Sequence, residues 1–356
     1  MGLTGKMLDI YPSFPDRGVH YGTQINLKRW KQTAYQKAYG FPEQGLAFSF
    51  HDFGNPNVLG YGIGLQYQLT FLQQLSSKWS LTEAVQFGGV YNSHPYHIID
   101  NPQNIVLGTH FSALMTAQVG MRYQINPQWY ANINGGLWHS SNGHTGLPNV
   151  GMNSLLLGFG VGYGLQAPSS STSDSLNLAN KWGFILLGSY GINEAGGTTR
   201  PTNGGLYSKQ LIGIGATYRF RNIHRLSLTL EGYYDQTYQL WNKSQEWNNY
   251  GTFIDASAVM LMLGHEFIYG HFGLLINAGI NLYNPTLKRI EDLKDNPSLS
   301  GQTKHLFPGR FAIRYYPWLP ENHTHAPFVQ AGIKSNLGQA DFLELGIGWL
   351  ISAPQD

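Results

Sequence analysis

The chain has 356 residues, of which 12% are charged and 14% aromatic, with 44 glycines and a formal net charge of +2. This aromatic content excludes an intrinsically disordered chain, and the small net charge gives no reason to expect nucleic-acid binding. The absence of cysteine excludes disulfides, zinc–thiolate sites and cysteine nucleophiles. No run approaches the roughly 18 consecutive apolar residues that a membrane-spanning helix requires.

The chain begins with a segment, residues 1–16, that we expect to be an extension before the folded domain. It contains no apolar stretch of the kind found in a signal peptide. If the protein is exported, we therefore expect the sequence to be the mature form, with an added or retained methionine.

The dominant pattern in the chain is alternation with a period of two. Between Thr109 and Ile125, every second residue is apolar and the intervening residues are mostly polar or small. The same alternation recurs in residues 212–220, 226–230, 272–280 and 343–351. Successive side chains of a strand point to opposite faces, so each segment has one oily face and one polar face. These segments run about 10–15 residues, whereas a soluble strand averages roughly 5–6 and a tilted membrane-crossing strand needs about 9–11.

Long alternating strands, low charge and abundant glycine predict an all-β transmembrane antiparallel β-barrel. Counting from Gly45–Phe50 to Phe342–Ile351 gives about fourteen strands. Gly18–Leu27 is either a further strand or a segment outside the wall, which sets a range of 12–16. We expect one barrel domain over residues 1–356, without a second domain. The alternative is a soluble all-β protein, which would normally carry more exposed charge.

Connector lengths predict the orientation in the bacterial outer membrane, where short turns face the periplasm and long loops face outward. Short connectors are expected at 73–78, 126–128, 221–224 and 269–271, and long ones at 92–108, 240–251 and 284–307. The connection 142–152 then lies outside. The Ser-rich stretch 167–181 is an exception, because its order in the chain assigns a long connector to the periplasm.

The densest polar cluster, residues 139–153, joins two of the predicted strands as a hairpin loop. Continuing the apolar sets of those strands by twos reaches His139, Ser141 and Asn153. These three side chains are therefore expected on the lipid-facing side, near the outer rim. Polar groups facing lipid cost free energy, so three of them together call for a reason.

One reason is catalytic. A histidine two residues before a serine on one strand lies close enough to take the hydroxyl proton, which is the base–nucleophile arrangement of acyl transfer. The Asn142–Gly143 turn is expected to aim backbone N–H groups at an oxyanion. The alternative is that these residues only crown a strand at the polar interface of the membrane.

The stretch from His139 to Asn153 resembles the signature of the PagL family of outer-membrane lipid A 3-O-deacylases. Its features are the His and Ser, then Asn142-Gly143, then Pro148-Asn149-x-Gly151. Residues 52–60 and 108–114 are also similar, especially to the Bacteroidetes proteins labelled acyloxyacyl hydrolases. The resemblance covers roughly Gly18 to Leu165, and the other half is expected to be additional barrel.

The resemblance implies that His139 is the general base and Ser141 the nucleophile of an esterase that removes an acyl chain from lipid A. The family's third site residue is a carboxylate, and its position here is Asn153. An asparagine can hold one imidazole tautomer, but it cannot stabilise an imidazolium by charge. This departure leaves open an inactive barrel that serves as a subunit or scaffold of an outer-membrane complex.

The resemblance implies lipid A, or lipopolysaccharide, as the partner of this membrane-embedded chain, and it implies no cofactor. A third possibility is a small pore, because about fourteen strands are enough to enclose water. The pairs His94–His97 and His323–His325 are weak metal candidates, since neither is accompanied by a cysteine or a paired carboxylate. We expect no metal site.

Overall fold

The computed structural model describes residues 19–29, 34–164, 181–198, 200–220, 223–293, 303–320 and 323–353. The expected extension 1–16 and nearly all of the Ser-rich stretch 167–181 lie outside these residues. The described strands are β1 (Tyr21–Arg29), β2 (Glu43–Asp52), β3 (Tyr61–Gln74), β4 (Trp79–Asn92), β5 (Phe111–Gln124), β6 (Trp129–Ser141), β7 (Met152–Tyr163), β8 (Lys181–Gly197), β9 (Arg200–Phe220), β10 (His224–Asp235), β11 (Ser257–Tyr269), β12 (Phe272–Tyr283), β13 (Pro308–Tyr315), β14 (His325–Asn336) and β15 (Gln339–Ser352). The described helices are α1 (Ala34–Ala38), α2 (Gln236–Ser244), α3 (Thr252–Asp255) and α4 (Pro285–Asp292).

The strands form two antiparallel sheets. Strands β1–β7 make a seven-stranded sheet in chain order, and strands β8–β15 close into an eight-stranded barrel. Packing divides the chain in a similar way: β1–β7 belong to one compact unit, here called unit 1, and most of β8–β15 belong to a second, unit 2.

The predicted alternation is confirmed on β5. The apolar set at Phe111, Ala113 and Val119 is exposed, whereas Leu114 and Thr116 on the opposite face are buried. The exposed set of the barrel follows the same rule, with Ile212 at 75% and Ile347 at 70% exposed. An outward surface of this kind is suited to lipid, because it presents mainly apolar side chains to the hydrocarbon of the membrane.

The all-β antiparallel fold is confirmed, and the fifteen described strands lie within the expected range of 12–16. The extended piece near residue 20 is strand β1. The short connectors expected at 73–78, 126–128, 221–224 and 269–271 agree, to within two residues at either end, with the gaps between β3 and β4, β5 and β6, β9 and β10, and β11 and β12.

The expected single wall differs from the observed pairing. Among the described residues, eight strands pair into their own closed ring, and the other seven form a separate sheet. Periodicity in a sequence reports which face a side chain occupies, but it does not report where a sheet closes, because closure depends on which distant strand edges meet.

The interior of the closed barrel is filled with paired charges. The Arg310 guanidinium donates to Glu231 at 2.7 and 2.8 Å and to Glu344 at 2.6 and 3.4 Å, and all three side chains are fully buried. Gln330 donates to Glu344 at 2.9 Å. This packing agrees with the rule that eight-stranded barrels are filled by side chains and have no open channel.

Two further polar layers lie above and below this one. Towards the turn after β13, Glu266 accepts hydrogen bonds from Arg225 at 2.8 Å and from the Tyr316 hydroxyl at 2.7 Å. Burial raises the pKa of Tyr316 to about 12, so its hydroxyl stays protonated and can donate. In the other layer Lys209 pairs with Asp235 and Asp341.

Unit 1 has a smaller ionic centre on the inward face of its sheet. Arg122 donates to both carboxylate oxygens of Glu43, at 2.5 and 2.8 Å, and Lys28 donates to the same carboxylate at 3.1 Å. Closer to the loops, an apolar cluster surrounds Trp138, formed with Phe53, Leu59, Val90, Val106, Leu107, Leu114 and Met152.

The longer connections carry the helices. Asp235, the last residue of β10, caps α2 by accepting from the backbone N–H groups of Thr237 and Tyr238. Asn284 caps α4 in the same way, and Pro285 at the first position suits a helix start. Among the described residues, no helix has the length and apolar character needed to cross a membrane.

We expect Arg310→Met to destabilise the barrel by about 3–5 kcal/mol, because it leaves Glu231 and Glu344 buried without their cation. Urea unfolding in detergent, followed by the gel shift between folded and unfolded protein, measures the effect. Lys288→Met, which removes an exposed cation from α4, is the control and should leave the midpoint unchanged. Equal midpoints for the Arg310 variant and wild type would contradict the assignment of Arg310 as the central cation.

Candidate active site

His139 and Asn153 are direct partners across the β6–β7 hairpin. His139 Nδ1 lies 2.8 Å from Asn153 Oδ1, and both side chains are exposed on the outward face. Their neighbours along the strands, Leu137 and Leu155, are 60% and 55% exposed on the same face. The imidazole–amide pair therefore lies on the apolar outer surface of the sheet.

This hydrogen bond assigns the histidine tautomer. An amide oxygen only accepts, so the proton of the neutral imidazole is on Nδ1 and Nε2 keeps its lone pair. Nε2 is then the basic atom. Among the described residues, no carboxylate forms an ion pair with His139.

Ser141 follows the same parity of β6 as His139, but its side chain is only 8% exposed. It lies next to Asn149 and Gly151, and its Oγ accepts a hydrogen bond from Asn149 Nδ2 at 3.0 Å. The described hydrogen bonds do not join His139 to Ser141. Ser141 therefore has the strand position expected of an outward-facing residue. The connection that follows β6 nevertheless buries its side chain.

Gly151 lies between the two side chains. A Cβ on this residue would be 3.6 Å from His139 Cε1 and 3.6 Å from Ser141 Cβ, so the imidazole and the serine border the same small space. The φ of Gly151 is +74°, a left-handed conformation that favours glycine. The residue leaves this space open.

Asn149 is a residue of the candidate site that the sequence analysis did not single out. Its Oδ1 accepts the backbone N–H of Asn142 at 3.3 Å, while its Nδ2 holds Ser141 Oγ. The signal for it was its place in the Pro148-Asn149-x-Gly151 signature. The Asn142 N–H group, one of the two expected oxyanion donors, is occupied by this side chain in the structure, and the oxyanion role of Asn142 and Gly143 (φ +66°) stays a prediction.

The connection 142–151 is held by its neighbour, the connection after β4. The backbone N–H groups of Val150 and Gly151 donate to the carbonyls of Ile105 and Val106 at 3.4 and 3.3 Å. A Cβ on Gly108 would lie only 2.4 Å from the Gly146 carbonyl oxygen, so these backbones approach as closely as two glycines allow. Residues 105–108 thereby position the loop over Ser141.

The three stretches that carry the sequence resemblance meet at this hairpin. Leu59 from 52–60, Leu107 beside 108–114, and Met152 from 139–153 all belong to the apolar cluster of unit 1. The three stretches, which are separate in the sequence, thus pack together in the folded chain.

The histidine pairs considered for metal binding have other surroundings. His97 Nδ1 lies 2.9 Å from the exposed Asp100 carboxylate, and His325 Nδ1 accepts from the Trp349 indole at 3.3 Å. Within the described ranges, no group of three or more His, Asp or Glu side chains is placed to hold a metal ion.

Comparison with known proteins identifies the second half of the chain. Residues 180–353 match the family described as acyloxyacyl hydrolase, C-terminal domain. The resemblance read from the sequence covered Gly18 to Leu165, so the match falls on the half expected only to be additional barrel and outside the 139–153 hairpin. No curated protein matches the chain. The placement in a Bacteroidetes subgroup stays a prediction.

Two solved structures illustrate what the chain is similar to. An outer membrane channel from Pseudomonas putida is 10% identical, with 95% of this chain and 96% of that chain covered and a TM-score of 0.18. OccK11 from Pseudomonas aeruginosa is 11% identical, with 95% and 91% covered and a TM-score of 0.20.

The family match and the apolar outer surface of the barrel agree with each other. Residues 180–353, which include the closed β-barrel, thus match the PagL-like acyloxyacyl hydrolase C-terminal domain.

Proposed function

We propose that the chain is a serine esterase that removes an acyl chain from lipid A in the outer leaflet of the outer membrane. The observation that carries this proposal is the His139–Asn153 pair on the apolar outer face, with Ser141 across the space left by Gly151. The family match to an acyloxyacyl hydrolase domain supports ester hydrolysis as the reaction class.

The outward position of the pair suits a lipid substrate. Leu137, Leu155 and Met115, which is the partner of His139 on β5, form an apolar surface beside His139. Acyl chains of the outer leaflet lie against this surface without leaving the membrane. The ester at the boundary between chain and sugar then comes level with the end of β6.

In the proposed reaction, His139 Nε2 takes the proton of Ser141 Oγ, and Oγ attacks the ester carbonyl carbon. The tetrahedral intermediate collapses by breaking the bond to the sugar oxygen, which receives the proton from the imidazolium. A water molecule, deprotonated by Nε2, then attacks the acyl-serine and releases the fatty acid. Serine and histidine return to their starting states.

Asn149 acts in this reaction both before the attack and in the tetrahedral intermediate. In the resting structure its Nδ2 donates to Ser141 Oγ at 3.0 Å. When Oγ turns to His139, that N–H becomes available to the oxygen of the tetrahedral intermediate, where preorganised donors have their largest effect. Asn149 thus holds the nucleophile before attack and stabilises the charge formed during it.

The asparagine at 153 supplies orientation without charge. Its Oδ1 fixes the reactive tautomer of His139, but a neutral amide stabilises the imidazolium less than a carboxylate does. We therefore propose a slow esterase rather than an inactive barrel. The pore alternative rested on about fourteen strands in one wall, and the charge-filled eight-stranded ring does not favour it.

Ser141→Ala is expected to abolish the change in lipid A acylation that wild type produces, because it removes the nucleophile. Mass spectrometry of lipid A from a Gram-negative host expressing each form measures it. Ser140→Ala is the matched control, since the Ser140 side chain is buried on the opposite face of β6 and should leave acylation unchanged. Lipid A that is the same with wild type, the Ser141→Ala variant and empty vector would reject the enzyme and leave the scaffold alternative.

Asn153→Asp is expected to raise the rate of deacylation by about tenfold or more, because a carboxylate stabilises the imidazolium that forms on His139. The initial rate on purified lipopolysaccharide in detergent micelles measures the change. Asn57→Asp, the same charge change at an exposed loop residue, should leave the rate unchanged. A lower rate for the Asn153→Asp variant would show that the amide is required at this position.

Gly151→Ala is expected to lower the deacylation rate by at least about tenfold while the protein still folds. The added methyl group enters the space between His139 and Ser141, and the φ of +74° adds roughly 1–2 kcal/mol of strain. Rate and gel shift are measured together. Gly158→Ala, where a Cβ meets open space, is the control. An unchanged rate in the folded Gly151→Ala variant would show that the two side chains do not react across this space.

A further inference from the structure

The inward face of the same hairpin carries a second serine in contact with a histidine. Ser154 Oγ lies 3.0 Å from His20 Nδ1, and the other ring nitrogen of His20 lies 3.0 Å from His51 Nδ1. His51 Nε2 in turn lies 2.8 Å from Ser49 Oγ. These four side chains, here called the inner relay, link the residue before β1 with strands β2 and β7.

Two proton arrangements satisfy the hydrogen bonds of the inner relay, one running from Ser154 to Ser49 and one in the reverse direction, and the first makes Ser154 the donor to a histidine. If Ser154 donates to His20 Nδ1, then His20 Nε2 carries a proton and donates to His51 Nδ1, and His51 Nε2 donates to Ser49. The serine proton is then aimed at a basic nitrogen whose ring is held by a second group. This is the order of nucleophile, base and orienting group used in acyl transfer.

A free donor lies beside this arrangement. Trp138 is the direct partner of Ser154 across the hairpin, and its ring centroid is 5.0 Å from that of His20. The Trp138 indole N–H is buried and has no hydrogen-bond partner among the described residues. Buried donors are nearly always paired, so this N–H points to an acceptor that binds here, such as a carbonyl oxygen.

The inner relay opens onto a chamber. His20 and His51 line a cavity of about 640 Å³ on the inward side of the unit 1 sheet, whose other walls include the polar residues Gln68, Gln118 and Asn132. Ser154 itself is 4% exposed, one inward position above Leu156, which also lines the cavity. A cavity of about 640 Å³ can hold a small ester but is too small for a lipid A molecule.

We propose that Ser154 and His20 form a second serine centre, which hydrolyses small polar acyl esters inside unit 1. Ser154 Oγ attacks the ester carbonyl carbon and its proton moves to His20 Nδ1. The bond to the alcohol oxygen breaks, and that oxygen takes the proton from His20. Water then cleaves the acyl-serine, with His20 accepting the water proton and returning it to Ser154. This centre does not require the lipid A activity of Ser141.

The test uses the full-length protein in detergent with a small phosphorylating probe, diisopropyl fluorophosphate, and peptide mapping by mass spectrometry. We expect an adduct on Ser154 in wild type and in Ser141→Ala, formed about a hundredfold or more slowly in His20→Gln, because the base is lost. Ser140→Ala is the control, because its hydroxyl is also buried and inward, and it should leave labelling of Ser154 unchanged.

Hydrolysis of p-nitrophenyl acetate gives the second readout. The Ser141→Ala form should retain activity, and adding Ser154→Ala should lower it by about a hundredfold or more. Absence of a Ser154 adduct in protein that shows the folded gel shift would overturn the proposal. An adduct on Ser154 without any lipid A change would support it while rejecting the outer function, so the two failures are distinguishable.

Discussion

The structure depends on one constraint: inside a lipid bilayer, every backbone N–H and C=O must find its partner within the protein. Antiparallel pairing meets this demand, and in β8–β15 the pairing closes on itself. The outward face must then be apolar. Polar side chains are confined to the interior, where each charge needs an opposite charge within hydrogen-bond distance, as in the Arg310, Glu231 and Glu344 group. The ion pairs thus follow from the closure of the sheet.

The same constraint explains why the β6–β7 hairpin is unusual. Its outward face should carry apolar residues to its end, yet it carries an imidazole and an amide that are bonded to each other. Pairing across the strands reduces the cost of exposing both groups and fixes the ring at the same time. On the inward face of the hairpin, Ser154 contacts His20, which precedes β1. The β6–β7 hairpin therefore has a histidine contact on each face, through Asn153 on the outward face and through Ser154 on the inward face.

The family match and the candidate active site fall on different sheets of the chain. The acyloxyacyl hydrolase domain matches residues 180–353, which include the closed barrel, whereas the candidate hairpin belongs to β1–β7. The barrel is filled by ion pairs and apolar side chains, including Leu211 and Met260. The sheet of unit 1 instead keeps a polar chamber of about 640 Å³. The second serine centre is therefore proposed in unit 1, whose sheet borders this cavity.

The sequence by itself determined the faces of the strands and the common outward face of His139 and Asn153, because side-chain alternation is a local property of extended backbone. Tertiary structure decided the rest. Closure into an eight-stranded ring depends on which distant edges meet, and the shielding of Ser141 depends on a loop held by residues 105–108. The clasp of Asn149 on Ser141 and the approach of His20 to Ser154, 134 residues apart, likewise arise only when the chain is folded, since no periodicity encodes contacts between separate loops and strands.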